Sequence, residues 1–337
     1  MTPEPLIEVD GLKVHFPLYN KGLLRRVAGH VKAVDGVSFR LNRGETLGLV
    51  GESGSGKTTI GRALLRALDP TAGSIRFHHN GEAVQLDTLT GSDLKSFRRH
   101  MQLIFQDPYA SLNPRMTVRD IIAEPLECLG GMPRPEIDAK IRDIAALCKL
   151  NLEHLRRFPH AFSGGQRQRI CIARALVARP DFVVCDESVS ALDVSIQAEV
   201  INLLMDLQAQ LGLTYLFIAH DLSVVAQIST AVAVLYVGRL VEMAPTEKLF
   251  FSPRHPYTRA LMSAVPTIDR SHPFEPIKLT GEIPNPTNPP SGCRFHTRCP
   301  YATAVCRSKT PQWRTIEADH QVACHHAETL DVKQQAA

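Results

Sequence analysis

The sequence lacks long apolar runs, is poor in aromatic residues and carries little net charge. Aromatic residues make up 6% of its 337 residues, and 38 basic against 34 acidic residues leave a net charge of +4. Such a balance argues against nucleic acid as the main partner. No window approaches the roughly 18 uninterrupted apolar residues of a membrane-spanning helix, and the start lacks the features of a signal peptide. We therefore expect a soluble, cytoplasmic chain that acts at a membrane only through other subunits.

A hydrophobic content of 44% is enough for one large core or two moderate ones. Short apolar runs at 45–50, 182–185 and 215–219 are typical of buried strands, and helical patterns such as 196–210 lie between them. This alternation predicts an α/β fold with a parallel sheet, whose ligands gather at the carboxyl ends of the strands. Residues from about 107 to 175 favour an inserted helical subdomain.

Proline is unevenly distributed, with 11 prolines before residue 244 and 12 in the last 94 residues. This change of composition predicts a boundary near residue 245. We expect a nucleotide-binding domain at 1–245 and a loop-rich C-terminal region at 246–337.

A glycine-rich loop follows the strand at 45–50 and fits the pattern GxxxxGK[ST]. Its glycines let backbone N–H groups surround a phosphate, the helix N-terminus adds positive potential, the lysine reaches the outer phosphates, and the next hydroxyl binds magnesium. The loop residues that we predict to bind nucleotide are Gly51, Ser53, Gly54, Ser55, Gly56, Lys57, Thr58 and Thr59, with Thr58 also on magnesium.

Two adjacent acids, Asp186 and Glu187, follow the strand at 182–185. Buried carboxylates are costly unless a cation or a catalytic task compensates them. Behind a phosphate loop, one could hold magnesium through water while the other activates an attacking water.

Further polar elements follow in order: Gln106, the tract 162–166 (Phe-Ser-Gly-Gly-Gln), 190–193 (Ser-Ala-Leu-Asp) and His220. In that order, they resemble the Q-loop, signature, D-loop and H-loop motifs of ABC ATPases. The glycine-rich loop resembles the Walker A motif, and the acid pair resembles the Walker B motif. The resemblance implies the ABC ATPase fold, with a RecA-like parallel core, an antiparallel β subdomain and the inserted helices. It also implies a role for ATP and Mg²⁺.

The resemblance implies a role for each matching residue. Glu187 would be the general base, His220 would contact the γ-phosphate and orient the water, and Gln106 and Asp186 would bind magnesium. The residues that would serve the ATP of a second subunit are Ser163, Gly164, Gly165, Gln166 and Asp193. Ser188 stands where the family usually has proline, which puts the stiffness of that loop in question. The candidates for stacking on adenine are Phe16, Tyr19 and His30.

Segments in the last third of the chain resemble one branch of this family. The stretches 252–261 and 288–295, with 31–37 and 193–197, are similar to ATPase subunits of dipeptide and oligopeptide importers, and most similar to the F-type subunit. The implied partners are a D-type second ATPase, two transmembrane permease subunits and an extracytoplasmic peptide-binding protein, with this chain at the cytoplasmic face of the inner membrane. Nickel or glutathione importers share these features, and a soluble ABC ATPase is a further alternative.

The eight cysteines fall into two groups. Cys128, Cys148, Cys171 and Cys185 lie in apolar or helical segments and are expected to be buried free thiols. Cys293, Cys299, Cys306 and Cys324 crowd the tail, where a metal is favoured over disulfides in a cytoplasmic chain. The resemblance implies a 4Fe-4S cluster, with zinc or plain thiols as alternatives and His296, His320, His325 and His326 as further ligands.

Overall fold

The computed structural model describes residues 4–20, 26–265 and 276–330, which form an α/β fold with two sheets. The strands are β1 (Pro5–Tyr19), β2 (Val27–Asn42), β3 (Thr46–Val50), β4 (Ala72–His79), β5 (Glu82–Gln85), β6 (Met101–Ile104), β7 (Phe182–Asp186), β8 (Thr214–Ile218), β9 (Ala231–Tyr236), β10 (Arg239–Pro245), β11 (Arg314–Glu317) and β12 (His320–Val322). The helices are α1 (Lys57–Leu64), α2 (Gly91–Phe97), α3 (Pro108–Ser111), α4 (Val118–Leu129), α5 (Arg134–Leu147), α6 (Gly164–Leu176), α7 (Val194–Leu211), α8 (Leu222–Ile228), α9 (Thr246–Phe251), α10 (Pro256–Ser263) and α11 (Ala304–Ser308).

The larger sheet has eight strands in the order β11-β12-β10-β9-β3-β8-β7-β6. Its centre is parallel, since β3 pairs with β8 and β9, and β7 pairs with β6 and β8. Every residue of β3, β7 and β8 is buried, as expected for strands covered on both faces. The predicted parallel core is confirmed, and the carboxyl ends of its strands meet at one edge.

The smaller sheet is antiparallel, with the order β2-β1-β4-β5. Strands β1 and β2 are longer than the short runs predicted from the sequence, because their exposed ends pair far beyond the buried core, out to Tyr19 and Val27. Residues from this sheet and α1 form one hydrophobic cluster against the parallel sheet. The predicted antiparallel part of the fold is therefore confirmed.

Four helices, α3 to α6, occupy the range in which we predicted an inserted helical subdomain. Asp107 caps α3 and Thr117 caps α4 through their side chains. Buried faces of α4, α5 and α6 join the core on the other side of the parallel sheet. The domain limits themselves stay a prediction, and residues 1 and 337 lie outside the described residues.

The C-terminal region is rich in loops but joins the main sheet. Strand β12 pairs antiparallel with β10 through Glu242 and Val322, and β11 pairs with β12. Tyr257 and Phe295 are buried in the large hydrophobic cluster of the parallel sheet. The tail therefore shares the hydrophobic core of the parallel sheet. Within the described residues, no helix is both long and apolar enough to cross a membrane.

Candidate nucleotide site

The phosphate loop connects β3 to α1 and can be made only with glycine at two positions. Gly51 and Gly56 have φ of 150° and 110°. A Cβ on Gly51 would lie 2.2 Å from the carbonyl oxygen of Leu235, and one on Gly56 would lie 2.2 Å from that of Ala33. Neighbouring backbone therefore leaves no room for a side chain at either position, and glycine allows the curled backbone that a phosphate-binding loop needs.

Lys57 is the first residue of α1, and its side chain turns back to the start of the loop. Its ammonium group is buried and donates hydrogen bonds to the carbonyl oxygens of Gly51 at 2.7 Å and Glu52 at 3.1 Å. Burial lowers the pKa of Lys57, while the charges of Glu187, Asp186 and Glu52 oppose that shift. A phosphate in the loop would offer this buried cation a stronger partner than the carbonyl groups.

Thr58 and Asp186 form the pair that could hold magnesium. The Thr58 hydroxyl donates to Asp186 Oδ1 at 2.9 Å, which joins the start of α1 to the end of β7. Burial raises the pKa of Asp186, although Thr58 and Arg62 act in the opposite direction. A hydroxyl and a carboxylate are suitable Mg²⁺ ligands, and a divalent cation would compensate the buried charge.

Glu187, Gln106 and His220 meet at the carboxyl edge of the sheet, beside the phosphate loop. Gln106 Nε2 donates to Glu187 Oε2 at 2.6 Å, and His220 Nδ1 lies 3.9 Å from the same oxygen. Glu187 and His220 follow β7 and β8, as the strand-end argument predicted, and Gln106, which the family resemblance pointed to, follows β6. The assignment of Glu187 as general base stays a prediction, but its carboxylate has two polar neighbours that can fix a water.

The loop after Glu187 is held by hydrogen bonds. Glu187 has a φ of 48°, and its N–H donates to Ile218 O at 2.9 Å. The Ser190 hydroxyl donates to Glu187 O at 2.8 Å. Ser188 is buried in place of the usual proline. These contacts stabilise the loop without that proline.

Asp186→Asn is expected to raise the melting temperature of the nucleotide-free protein near neutral pH and to weaken Mg-ATP binding. Burial raises the folded-state pKa of Asp186, so its charged form costs stability above that pKa and the cost disappears as the pH falls and the carboxyl protonates. A gain of about 1 kcal/mol would raise the melting temperature by roughly 1–2 °C in a chain of this length. The difference should shrink in acid, because asparagine is neutral at every pH.

Calorimetric scans of both proteins across pH test this expectation, with Asp206→Asn as the control because its carboxylate is exposed. A difference that does not depend on pH, or a variant less stable at pH 7, would contradict it.

The predicted signature residues lie at the start of α6. Ser163 and Gln166 form a reciprocal capping box: the Ser163 hydroxyl accepts from the Gln166 N–H at 3.4 Å, and the Gln166 side chain accepts from the Ser163 N–H at 3.1 Å. A Cβ on Gly165 would lie 2.6 Å from Ile196, so glycine allows α6 and α7 to pack closely. In the described part of the chain, no hydrogen bond links Ser163 or Gln166 to the phosphate loop. The structure leaves this helix end, like Asp193 before α7, exposed.

The three candidates for adenine stacking lie on the β1-β2 hairpin. Phe16 and Tyr19 are 39% and 54% exposed, and His30 is exposed opposite Pro17. The choice among them stays a prediction.

The four tail cysteines line one pocket, together with His296, His325 and His326. Burial raises the pKa of Cys293, that of Cys299 to about 11 and that of Cys324 to about 12. The N–H of His326 donates to Cys324 Sγ at 3.4 Å. His320 lies elsewhere, since its ring bonds to buried Glu242 at 2.7 Å. Because burial disfavours the charged form of these thiols, thiolates in this pocket would need a metal or another positive charge beside them.

The four sulfurs are not arranged as a preformed tetrahedral zinc site. Tetrahedral zinc with Zn–S bonds of about 2.3 Å would hold its sulfurs about 3.8 Å apart. Among the residues that the structure describes, the group with three ligand atoms within 4.8 Å of one another is His79, His100 and Asp181, so no three cysteine sulfurs are that close.

The other four cysteines are mostly as predicted. Cys148, Cys171 and Cys185 are buried, and burial raises the pKa of each thiol. The prediction was wrong for Cys128, which is exposed. It lies in the last turn of α4, where that helix lines an open groove with Phe105 and Arg174.

His79, His100 and Asp181 form a structural cluster away from the phosphate loop. Both histidine Nδ1 atoms approach Asp181 Oδ2, at 3.3 and 2.9 Å. Arg43 lies 3.5 Å from the other carboxylate oxygen and supplies a positive charge. The cluster therefore joins the end of β4 to the start of β7 without requiring a metal.

Sequence reasoning missed three residues at the phosphate loop: Glu52, Tyr257 and Arg298. The Arg298 guanidinium bonds both carboxylate oxygens of Glu52, at 2.7 and 3.0 Å, and the Glu52 N–H donates to the Tyr257 hydroxyl at 2.9 Å. Glu52 occupies a variable position of the loop pattern, and Arg298 is 246 residues away along the chain. The signal in the sequence was the negative charge of Glu52 inside an anion-binding loop, because such a charge needs a nearby cation to compensate it.

Two family models match the chain. The model described as ABC transporter matches residues 34–190, and the one described as oligopeptide/dipeptide transporter, C-terminal region, matches residues 241–306.

Relatives match over nearly the full length. The chain is 49% identical to the oligopeptide transport ATP-binding protein AppF of Bacillus subtilis (strain 168), over 96% of this chain and 97% of that protein. It is 47% identical to the di/tripeptide transport ATP-binding protein DppF of Pseudomonas aeruginosa (strain UCBPP-PA14), over 96% and 98%. A dimeric ATP-binding cassette, MJ0796 bound to ADP and Pi, superposes with a TM-score of 0.60 at 24% identity, over 72% of this chain and 99% of that one, which supports the fold alone.

Proposed function

The chain belongs to the family of ATP-binding proteins of oligopeptide and dipeptide ABC transporters, and we propose that it hydrolyses ATP to energise the import of short peptides. The observation that carries the proposal is the position of Glu187. Its carboxylate accepts from Gln106, faces His220, and lies at the strand end beside the buried Lys57. This arrangement supports hydrolysis as well as nucleotide binding.

Each proposed role follows from the contacts at the loop. Backbone N–H groups of the loop and Lys57 bind the phosphates, and Thr58 and Asp186 would hold Mg²⁺, which neutralises charge on the outer phosphates. Glu187 accepts the proton of the attacking water.

The exposed end of α6 supports a site completed between two ATPase subunits. Ser163 and the free N–H groups of Gly164 and Gly165 form an anion-binding helix terminus, which would contact the γ-phosphate bound by the other subunit. Tighter ATP binding to the closed pair would drive closure, and closure would switch the permease subunits between inward-facing and outward-facing states.

We propose the F-type position for this chain, beside a D-type ATPase, two permease subunits and an extracytoplasmic peptide-binding protein, at the cytoplasmic face of the membrane. Purification from the native membrane, with identification of the partners by mass spectrometry, tests this assembly. Recovery of two permeases with a second ATPase is the expected result. Recovery with ribosomes or DNA, and without permeases, would overturn it.

We propose further that Cys293, Cys299, Cys306 and Cys324 hold an iron-sulfur cluster. The support is a shared, buried pocket that keeps water from the sulfurs and an N–H group directed at the Cys324 sulfur, since hydrogen bonds to sulfur and solvent exclusion both tune such clusters. Protein purified without oxygen is expected to contain iron and to absorb broadly near 400 nm. Cys324→Ser should lose both signals while Cys128→Ser retains them. Stoichiometric zinc without iron would refute the cluster.

A further inference from the structure

The tail reaches the phosphate loop at Glu52. The guanidinium of Arg298 is only 8% exposed and binds the Glu52 carboxylate with two parallel hydrogen bonds. The hydroxyl of Tyr257, from α10, accepts from the Glu52 N–H. Both the side chain and the backbone of Glu52 are therefore held by residues outside the ATPase motifs.

A carboxylate is an unfavourable neighbour for bound phosphates. Glu52 lies in the loop whose N–H groups and Lys57 would surround the β- and γ-phosphates, so its negative charge would repel them. Arg298 compensates this charge, and its fork geometry also fixes where the carboxylate points. Loss of Arg298 alone would leave Glu52 uncompensated beside the nucleotide.

The residues behind Arg298 and Tyr257 are closely packed. The rings of Tyr236, Tyr257 and Phe295 pack together with centroid distances of 4.6 to 5.4 Å, and the Tyr236 hydroxyl lies 3.4 Å from Arg298. Tyr257 and Phe295 are fully buried or nearly so. The tail therefore presents these groups to the loop from a packed aromatic platform.

A second connection reaches the other end of the loop. The carbonyl of Ser55 accepts from the N–H of Gly238, whose own carbonyl accepts from the N–H of Asp35. The Asp35 carboxylate is in turn bound by buried Arg294. Arg294 and Arg298 belong to the same tail segment, so one segment supports both ends of the phosphate loop.

We propose that Arg298 and Tyr257 are positioning residues of the nucleotide site, through which the C-terminal tail sets the affinity for ATP. This inference rests on the proposed function, because it takes ATP to be the ligand of the loop. It predicts an effect on ATP binding from residues that touch none of the reacting atoms.

Arg298→Gln is expected to weaken Mg-ATP binding to the full-length chain about tenfold, as loss of a charged bidentate partner implies. Calorimetry measures the Kd. In the assembled transporter, KM for ATP should rise by a similar factor while kcat stays within about twofold, because a ground-state contact is lost. Arg254→Gln is the matched control, since it breaks the tail ion pair with Glu317.

Removing both charges of the Glu52–Arg298 pair distinguishes a positioning role of Arg298 from a general loss of protein stability. The double variant Glu52→Gln/Arg298→Gln should bind Mg-ATP within about threefold of the parent, since the pair acts as a unit. Tyr257→Phe provides a second test if Arg298→Gln fails to fold, with an expected two- to fivefold rise in Kd for the loss of one hydrogen bond. Equal Kd values for parent and variants, or no recovery in the double variant, would overturn the inference. A parent that binds no ATP would instead refute the proposed function.

Discussion

Glu187→Gln is expected to lower steady-state ATP hydrolysis by about 10²- to 10⁴-fold, the usual contribution of a general base. Glutamine has nearly the same shape and keeps an oxygen that can accept from Gln106 Nε2, now at 2.6 Å from Glu187. The phosphate loop contacts are unchanged, so the Kd for Mg-ATP should stay close to that of the parent. The variant should accumulate in the ATP-bound, closed state.

Hydrolysis and binding are measured separately in the assembled transporter, by phosphate release and by nucleotide retention. Glu247→Gln, at an exposed position in the first turn of α9, is the matched control and should hydrolyse ATP like the parent. Normal turnover by Glu187→Gln would refute its assignment. Loss of ATP binding would show instead that Glu187 supports the loop.

Ser163→Arg is expected to abolish hydrolysis at the partner's nucleotide site while sparing the site on this chain. The substitution removes the cap of α6 and places a bulky cation where an anion would bind. Loss of a preorganised hydrogen-bond donor to the charge that develops in the transition state typically lowers kcat by about 10²- to 10³-fold.

Two mixed complexes locate the effect. In the first complex, Lys57→Ala disables the phosphate loop of this chain, so that the remaining ATP turnover occurs at the partner's phosphate loop. That turnover should disappear when Ser163→Arg is added. In the second complex, the partner's phosphate loop is disabled instead, and ATP turnover at the loop of this chain should continue in the presence of Ser163→Arg. Ser92→Arg, at an exposed site on α2, is the control for added charge. The reverse pattern would place Ser163 in its own chain's site.

The ATP-site geometry could be predicted because the relevant signals are local. Continuous apolar runs indicated the parallel strands, and polar residues follow their ends, so Asp186 and His220 were expected at one sheet edge, whereas Gln106 was assigned by the family resemblance. The glycine spacing of the loop likewise reflects backbone contacts, such as Gly51 against Leu235, that exclude other residues.

The role of the tail could not be predicted, because its contacts join residues far apart in sequence. No local pattern pairs Arg298 with Glu52 or β12 with β10, and both contacts depend on packing of the whole core. His320 looked like a metal ligand from its neighbours in sequence, yet it bonds Glu242 across 78 residues. Residue type indicated that such groups needed partners, but only the folded chain identifies them.

Uptake of a labelled short peptide by proteoliposomes tests the central claim most directly. The vesicles would carry the complete transporter with its binding protein, with ATP supplied on the side of this subunit. We predict that uptake depends on ATP, that Glu187→Gln abolishes it and that Glu247→Gln leaves it unchanged. An excess of unlabelled peptide should suppress the uptake, whereas nickel ion should not. Peptide uptake that persists at the parental rate with Glu187→Gln would contradict the account.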